Sequence, residues 1–251
     1  MGEMILLGVG TAVSEPDREC THMVWRSPDG AFLIDVVGNT YARLMQAGAD
    51  PQALSGIILT HSHADHIYGL PIFLTQLFLL GRRDAIPIYA LEPTIAQAQA
   101  LIAASAVDDY MLPVDWRPIE AGDEIPAGPN WRLRTTLTEH TRPCLALRFE
   151  ERQSGRALVY SGDTSPCAAV EALAQGCELL IHEATTKAPF AGHTTPFQAG
   201  EVAQRVGAKR LVLVHYSPRW TMPEHEALAA VGQAGYTGQV EIGREFQALE
   251  L

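Results

Sequence analysis

Basic residues are scarce in this chain of 251 residues: 18 Lys and Arg stand against 29 Asp and Glu, a formal charge of −11. Non-specific nucleic-acid binding rests on a basic face, and this composition offers few candidates for one. Charged residues of both signs reach only 19%, while hydrophobic ones reach 47%, which excludes a disordered polyelectrolyte and fits a compact globule. Cysteine is sparse too. Cys20, Cys144, Cys167 and Cys177 include no C-x-x-C pair and read as four reduced thiols. No apolar run is long enough to span a bilayer. The most apolar helical stretch, 70–80, contains Pro71, Thr75 and Gln76 and stops at Gly81-Arg82-Arg83. The opening Met-Gly-Glu runs directly into a strand pattern, without a secretory n-region or h-region. These absences predict a cytoplasmic protein with no membrane partner. No repeat, low-complexity tract or Gly/Ser linker interrupts the chain, so residues 1–251 read as a single domain.

Short apolar runs predict strands at Met4–Leu7, Met23–Arg26, Phe32–Val37, Ile57–Thr60, Ile86–Ala90, Trp131–Leu137, Cys144–Phe149, Ala157–Ser161, Leu179–His182 and Arg210–His215. Helical patterns alternate with them at Thr40–Ala47, Gly69–Leu80, Pro93–Ala106, Pro166–Ala174, Pro196–Val206 and Pro223–Gln233. Thr195-Pro196 and Ser165-Pro166 have the form of N-cap plus first helical residue. The pattern belongs to the α/β class. Periodicity alone does not separate a four-layer αββα sandwich from a doubly wound sheet, and the motif below decides for the sandwich.

That motif is Thr60-His61-Ser62-His63-Ala64-Asp65-His66, directly after the apolar run Gly56–Leu59. In an extended backbone the rings of His61 and His63 project to the same side and can share one metal ion. Asp65 and His66 continue round the turn and can serve a second. Three other apolar runs also end in ligand-type residues. The strand beginning near Trp131 leads to His140, a third nitrogen for the first ion. Ala157–Tyr160 leads to Asp163, whose carboxylate can bridge both ions, and Arg210–Val214 leads to His215, assigned to the second. Imidazole and carboxylate donors imply two divalent metal ions, zinc first, with manganese or iron as substitutes. Cys20-Thr21-His22 lacks partner cysteines and reads as a core cysteine beside a packed histidine; His182 reads as structural and His225 as surface.

The signature His-x-His-x-Asp-His resembles that of the metallo-β-lactamase superfamily. The longer stretch Thr60–Pro71, with Ile181-His182-Glu183-Ala184-Thr185, Gly192-His193-Thr194-Thr195 and His215-Tyr216-Ser217-Pro218-Arg219, is similar to its ribonuclease Z-like branch. That resemblance implies a metallo-β-lactamase fold and the ligand division given above. It makes His193 the general acid for the leaving group and Glu183 the carboxylate that orients it. It suggests Arg219 as a phosphate contact and Asp35 as the carboxylate that props the metal-binding loop. Asp65 is expected both to ligate and to orient the nucleophile, a hydroxide formed between the ions. It also implies a homodimer, with 67–80 available to the interface.

The chain departs from ribonuclease Z in three places. The protruding arm that grips tRNA is inserted in that family between the later His ligand and the bridging Asp. Here His140 and Asp163 are 23 positions apart, with room only for a hairpin around Ser154-Gly155. The N-terminal loop reads Pro16-Asp17-Arg18-Glu19-Cys20, more acidic than basic, and Val37-Gly38-Asn39-Thr40-Tyr41 stands where relatives often have Gly-Glu-Gly-Thr-Gln. The expected enzyme is therefore a two-metal phosphodiesterase for a small phosphodiester, not a nucleic-acid partner. The alternatives are a lactonase, thioesterase or arylsulfatase-type hydrolase, a tRNA 3′-processing endonuclease, an iron-bearing redox protein, and a non-catalytic metal-binding module.

Overall fold

A computed structural model describes every residue except Ser14, and every side chain except those of Ser14 and Asp108. In chain order the elements are β1 (Glu3–Gly8), β2 (His22–Ser27), β3 (Gly30–Ile34), α1 (Thr40–Gln46), β4 (Gly56–Ile58), α2 (Ala64–Ile67), α3 (Leu70–Leu79), β5 (Ile86–Ala90), α4 (Glu92–Ala104) and β6 (Val114–Pro118). There follow β7 (Glu124–Ile125), β8 (Trp131–Leu137), β9 (Leu145–Glu151), β10 (Ala157–Tyr160), α5 (Ala168–Ala174), β11 (Leu179–Glu183), α6 (Pro196–Val206), β12 (Arg210–Val214), α7 (Glu224–Gln233), β13 (Gln239–Ile242) and β14 (Ala248–Glu250).

The strands form two seven-stranded sheets, ordered β14-β1-β2-β3-β4-β5-β6 and β13-β12-β11-β10-β9-β8-β7. Each is antiparallel in one part and parallel in the other. β3 to β6 run parallel in the first sheet, and β10 to β13 in the second. The side-chain period of two explains how the sheets stack. In β1, Met4 and Leu6 face the second sheet and pack with Trp25, Leu147, Phe149 and Val212. The intervening Ile5 and Leu7 face outward, in a cluster with Leu44 of α1, Phe73 of α3 and Ile95 of α4. On the other side Val159, Leu180 and Leu213 pack outward against Val202 of α6 and Val231 of α7. The result is the expected four-layer αββα sandwich. Trp25 anchors its centre, fully buried with ring centroids 4.7 Å from both Trp131 and Phe149. Truncating such a residue to Ala costs about 3–5 kcal/mol.

Two local features position the site. Thr195 caps α6: its Oγ1 accepts from Gln198 N at 3.2 Å and Gln198 Oε1 accepts from Thr195 N at 3.1 Å, which fixes the chain just past His193. The expectation at Ser165-Pro166 is corrected. α5 begins at Ala168, with Cys167 at the N-cap position. Ser165 instead bonds across to the site loops, its N–H donating to Glu139 O at 2.8 Å and its Oγ accepting from Gly192 N at 2.7 Å. The hairpin predicted around Ser154-Gly155 is the β9–β10 turn.

Candidate metal centre

The parallel parts of both sheets aim strand C-terminal ends at one rim, the usual place for sites in α/β folds. His61 and His63 leave that rim just after β4, and α2 carries Asp65 and His66. His140 follows β8, Asp163 follows β10, Glu183 ends β11, His193 lies in the loop before α6, and His215 follows β12 directly. Gly162 makes the turn that delivers Asp163. Its φ is +58°, and a Cβ there would lie 2.4 Å from Leu145 O. Two non-glycine residues of the site also take left-handed backbone: Asp35 at φ 60° and His215 at φ 48°. Such conformations cost about 1–3 kcal/mol and persist where the surroundings demand them.

All seven predicted ligands meet. His63 Nδ1 stands 3.1 Å from His61 Nε2 and 3.0 Å from His140 Nε2. Asp65 Oδ2 is 3.7 Å from His66 Nε2 and 3.5 Å from His215 Nε2. Between the two groups lies Asp163 Oδ2, at 3.9 and 4.0 Å from the His61 and His140 Nε2 atoms and 3.6 and 3.5 Å from those of His66 and His215. Donors sharing a tetrahedral zinc at ordinary bond lengths lie about 3.3 Å apart, close to these separations.

Hydrogen bonds behind the rings fix which atom faces inward. Thr60 Oγ1 donates to Asp35 Oδ2 at 2.8 Å and so accepts from His61 Nδ1 at 3.1 Å. His66 Nδ1 donates to Asp35 Oδ2 at 2.8 Å, and His140 Nδ1 to Gly192 O at 2.7 Å. Thr185 Oγ1 donates to Glu183 Oε2 at 2.6 Å and accepts from His215 Nδ1 at 2.7 Å. In the neutral form that a metal ion requires, each of these four rings therefore turns an Nε2 lone pair inward. Two of those lone pairs converge on His63 Nδ1, which could supply a proton to only one. His66 Nε2, His215 Nε2 and Asp163 Oδ1 are buried with no hydrogen-bond partner. Lone pairs aimed at lone pairs, with orphaned acceptors beside them, fit cations and not a closed hydrogen-bond network.

The electrostatics agree. Burial acts to raise the Asp65 and Asp163 pKa values, but the surrounding imidazoles outweigh it and hold both carboxylates below their ordinary range. Burial, reinforced by neighbouring rings, lowers the pKa of His61 and of His63, which favours the neutral ligand form. At His66 burial is opposed by the Asp163 and Asp35 carboxylates, which raise its pKa, so metal binding there must displace a proton.

Next to this cluster stands a second pair. His193 Nδ1 lies 3.0 Å from Glu183 Oε1. The fully buried Glu183 carboxylate also accepts from Thr164 N at 2.7 Å, Thr185 N at 3.2 Å, Thr185 Oγ1 at 2.6 Å and Thr194 N at 3.1 Å. These donors leave it no freedom to rotate. His193 lines a cleft of about 300 Å³ with His63, Asp65, Asp163 and His215.

Arg219 is exposed, with its backbone N–H donating to Glu15 Oε1 at 3.3 Å, and it does not line the cleft. Asp35 props the metal loop through Thr60 and His66. His22 is buried on Cys20 O at 2.9 Å, His182 is buried and His225 exposed. Sequence reasoning passed over Thr185, Gly192 as an acceptor, and the apolar cleft residues Val13, Phe190 and Trp220. Thr185 and Gly192 lay inside quoted motifs, whereas Val13, Phe190 and Trp220 carry no sequence signal.

Comparisons with known proteins bear on the family and the fold. The chain is 28% identical to ribonuclease Z of Mycobacterium bovis, over 100% of this chain and 99% of that protein. That comparison runs over 280 positions, more than the length of this chain, so the relative carries stretches with no counterpart here. The metallo-β-lactamase fold protein YhfI of Bacillus subtilis superposes with a TM-score of 0.84 at 22% identity, covering 100% of both chains. The short form of human tRNase Z does so with a TM-score of 0.77 at 24% identity, over 99% of this chain and 98% of that one. Residues 28–216 match the family model of the Beta-lactamase superfamily domain, and the chain belongs to that family.

Proposed function

We propose that this metal-dependent hydrolase is a binuclear phosphodiesterase for a small phosphodiester, its residues 1–251 acting as one domain. The observation that carries the reading is the His193–Glu183 pair beside the seven converging ligands. His61, His63 and His140 would hold one ion, Asp65, His66 and His215 the other, and Asp163 would lie between them; the donor set suits zinc, with manganese or iron as substitutes. When bound, such a pair activates a water at neutral pH and offsets negative charge developing on the substrate.

The chain's own residues supply the rest. Asp65, held below the usual carboxylate range by His215 and His66 against its burial, is placed to orient the nucleophile's proton. His193 donates from Nδ1 to Glu183, which leaves Nε2 free toward the cleft as the proton source for the leaving oxygen. Burial lowers the pKa of the His193 ring and Glu183 more than restores it, so its charged form extends above the ordinary value of 6.5. The seven ligands contribute only two carboxylates, so a filled site stays electropositive and favours an anionic diester over a neutral ester. Arg219, exposed beside the cleft residue Trp220, has no described contact that supports a phosphate role.

The small-substrate reading rests on the short β9–β10 hairpin, the acidic charge and the absence of Lys and Arg from the cleft lining. The ribonuclease Z relatives keep RNA as the second reading. A panel of methyl p-nitrophenyl phosphate, a lactone, a thioester and a precursor tRNA, given to protein loaded with zinc, separates the cases. Diester turnover alone supports the proposal, and processing of the precursor would overturn the small-substrate assignment. No described helix is long and apolar enough to cross a membrane. Four free cysteines, three of them buried, support a cytoplasmic location. Exposed Tyr68, Ile72, Leu79 and Leu80 would supply the face of a homodimer, which light scattering tests.

A further inference from the structure

The cleft over the ligand cluster has a polar floor and an apolar wall. The wall comes from three loops: Val13 after β1, Phe190 before α6 and Trp220 after β12. None of the lining residues is lysine or arginine. Phe190 is 63% exposed and Trp220 59%, although the same chain buries Trp25 and Trp131 completely or nearly so. Large apolar rings left in water next to a polar centre mark a contact surface.

Both rings are fixed to the segments that carry the chemistry. The Phe190 carbonyl accepts from His193 N at 3.1 Å, and its ring lies 25° from parallel to the His193 imidazole, with centroids 6.4 Å apart. The backbone N–H of Trp220 donates to Ser217 O at 3.2 Å and Ser217 Oγ at 3.1 Å, and that hydroxyl in turn donates to Glu15. Ser217 lies two residues past His215. The backbones that carry both rings are thus tied to loops of the site. At about 300 Å³ the space is at the small end of ligand pockets, enough for a phosphate and one ring system.

Resting on the phosphodiesterase reading above, we infer that this wall is a subsite for a planar aromatic group. Its substrates are then diesters whose phosphate carries a nucleobase-sized ring that stacks on Phe190 or Trp220. With no cation in the lining besides the metal centre, one phosphate is recognised at the floor and the remainder of the ligand by stacking.

Calorimetric binding to protein loaded with zinc tests this without requiring turnover. Thymidine 5′-monophosphate and methyl phosphate present the same phosphate with and without a base. The nucleotide is expected to bind about tenfold or more tightly, the range of a single base–aromatic stack. In the double variant F190A/W220A the ratio of the two affinities should collapse toward one, while Trp220→Phe should keep most of it. Thermal melting and zinc content show whether each variant is folded and loaded. Equal affinities in the unaltered protein, or a ratio that survives the double substitution, would overturn the subsite and leave the rings as a surface for a protein partner. Should the ratio hold while no diester is cleaved, the subsite stands and the phosphodiesterase reading falls.

Discussion

Asp35 does not line the cleft, yet exchanging one atom of it should alter metal binding. Its carboxylate accepts three hydrogen bonds, from Thr60 N at 2.7 Å, Thr60 Oγ1 at 2.8 Å and His66 Nδ1 at 2.8 Å. Asp35→Asn keeps the shape, and asparagine tolerates the left-handed φ of 60° found here, so the backbone is undisturbed. What changes is donor capacity. With the amide NH₂ toward Thr60 N, two buried donors confront each other. With it turned the other way, the NH₂ meets both Thr60 Oγ1–H and His66 Nδ1–H; the hydroxyl can rotate away, but the ring must move its proton to Nε2, the atom that faces Asp163. Either orientation leaves one confrontation, worth about 1–3 kcal/mol for a buried unsatisfied group. If the backbone suffers it, the metal-free protein should melt roughly 2–10 °C lower. If the imidazole suffers it, affinity for one of two zinc ions should fall about 10- to 100-fold. Titration with a chromophoric chelator, paired with melting of the metal-free form, measures both. A D35N protein that binds two zinc ions as tightly as before and melts at the same temperature would refute the assignment of ring orientation.

Three further outcomes are expected. His193→Ala should lower kcat for a diester by about 10²- to 10⁴-fold with zinc content retained, as read by steady-state kinetics and metal analysis. Because the Glu183 carboxylate outweighs burial and raises the His193 pKa, the acid form is complete below 6.5 and is lost as pH rises through the shifted value. Glu183→Gln removes that support and should move the alkaline limb of the pH–rate profile to lower pH. Gly162→Ala places a Cβ against Leu145 O at a φ only glycine adopts easily, and should destabilise the fold by more than about 1 kcal/mol while reducing bound zinc.

The strands that apolar patterning finds and those it misses differ in where they lie. Every interior strand of both sheets is legible, because burial on both faces writes apolar runs such as Leu179–Ile181 and Leu211–Val214. The four that escape are β6, β7, β13 and β14, the two edges of each sheet. An edge strand shielded on one face only alternates, as Val114-Asp115-Trp116-Arg117 does, and so forms no apolar run of the kind that marks the interior strands. The short α2 is hidden by its ligands, since Asp65 and His66 carry chemistry and not helix propensity. The candidate ligands are legible because the segments that carry them follow buried strands. His193 and Glu183 come only through resemblance to a family, and Phe190 and Trp220 not at all, because loop residues owe their positions to the backbone bonds that seat them.

The ligand cluster takes His61, His63, Asp65 and His66 from the first sheet's rim and His140, Asp163 and His215 from the second's. Polar links also cross at that end, among them Leu145 N to Thr60 O, Tyr216 N to Val9 O and His215 N to Thr21 Oγ1, each at 3.1 Å. Bound ions would act as a rivet that reinforces these links and the shared apolar faces of the two halves. Chelation should loosen the docking of the sheets before it melts either one. Amide hydrogen exchange would register that first in the segments around Thr60 and Leu145 and later in β2 and β9.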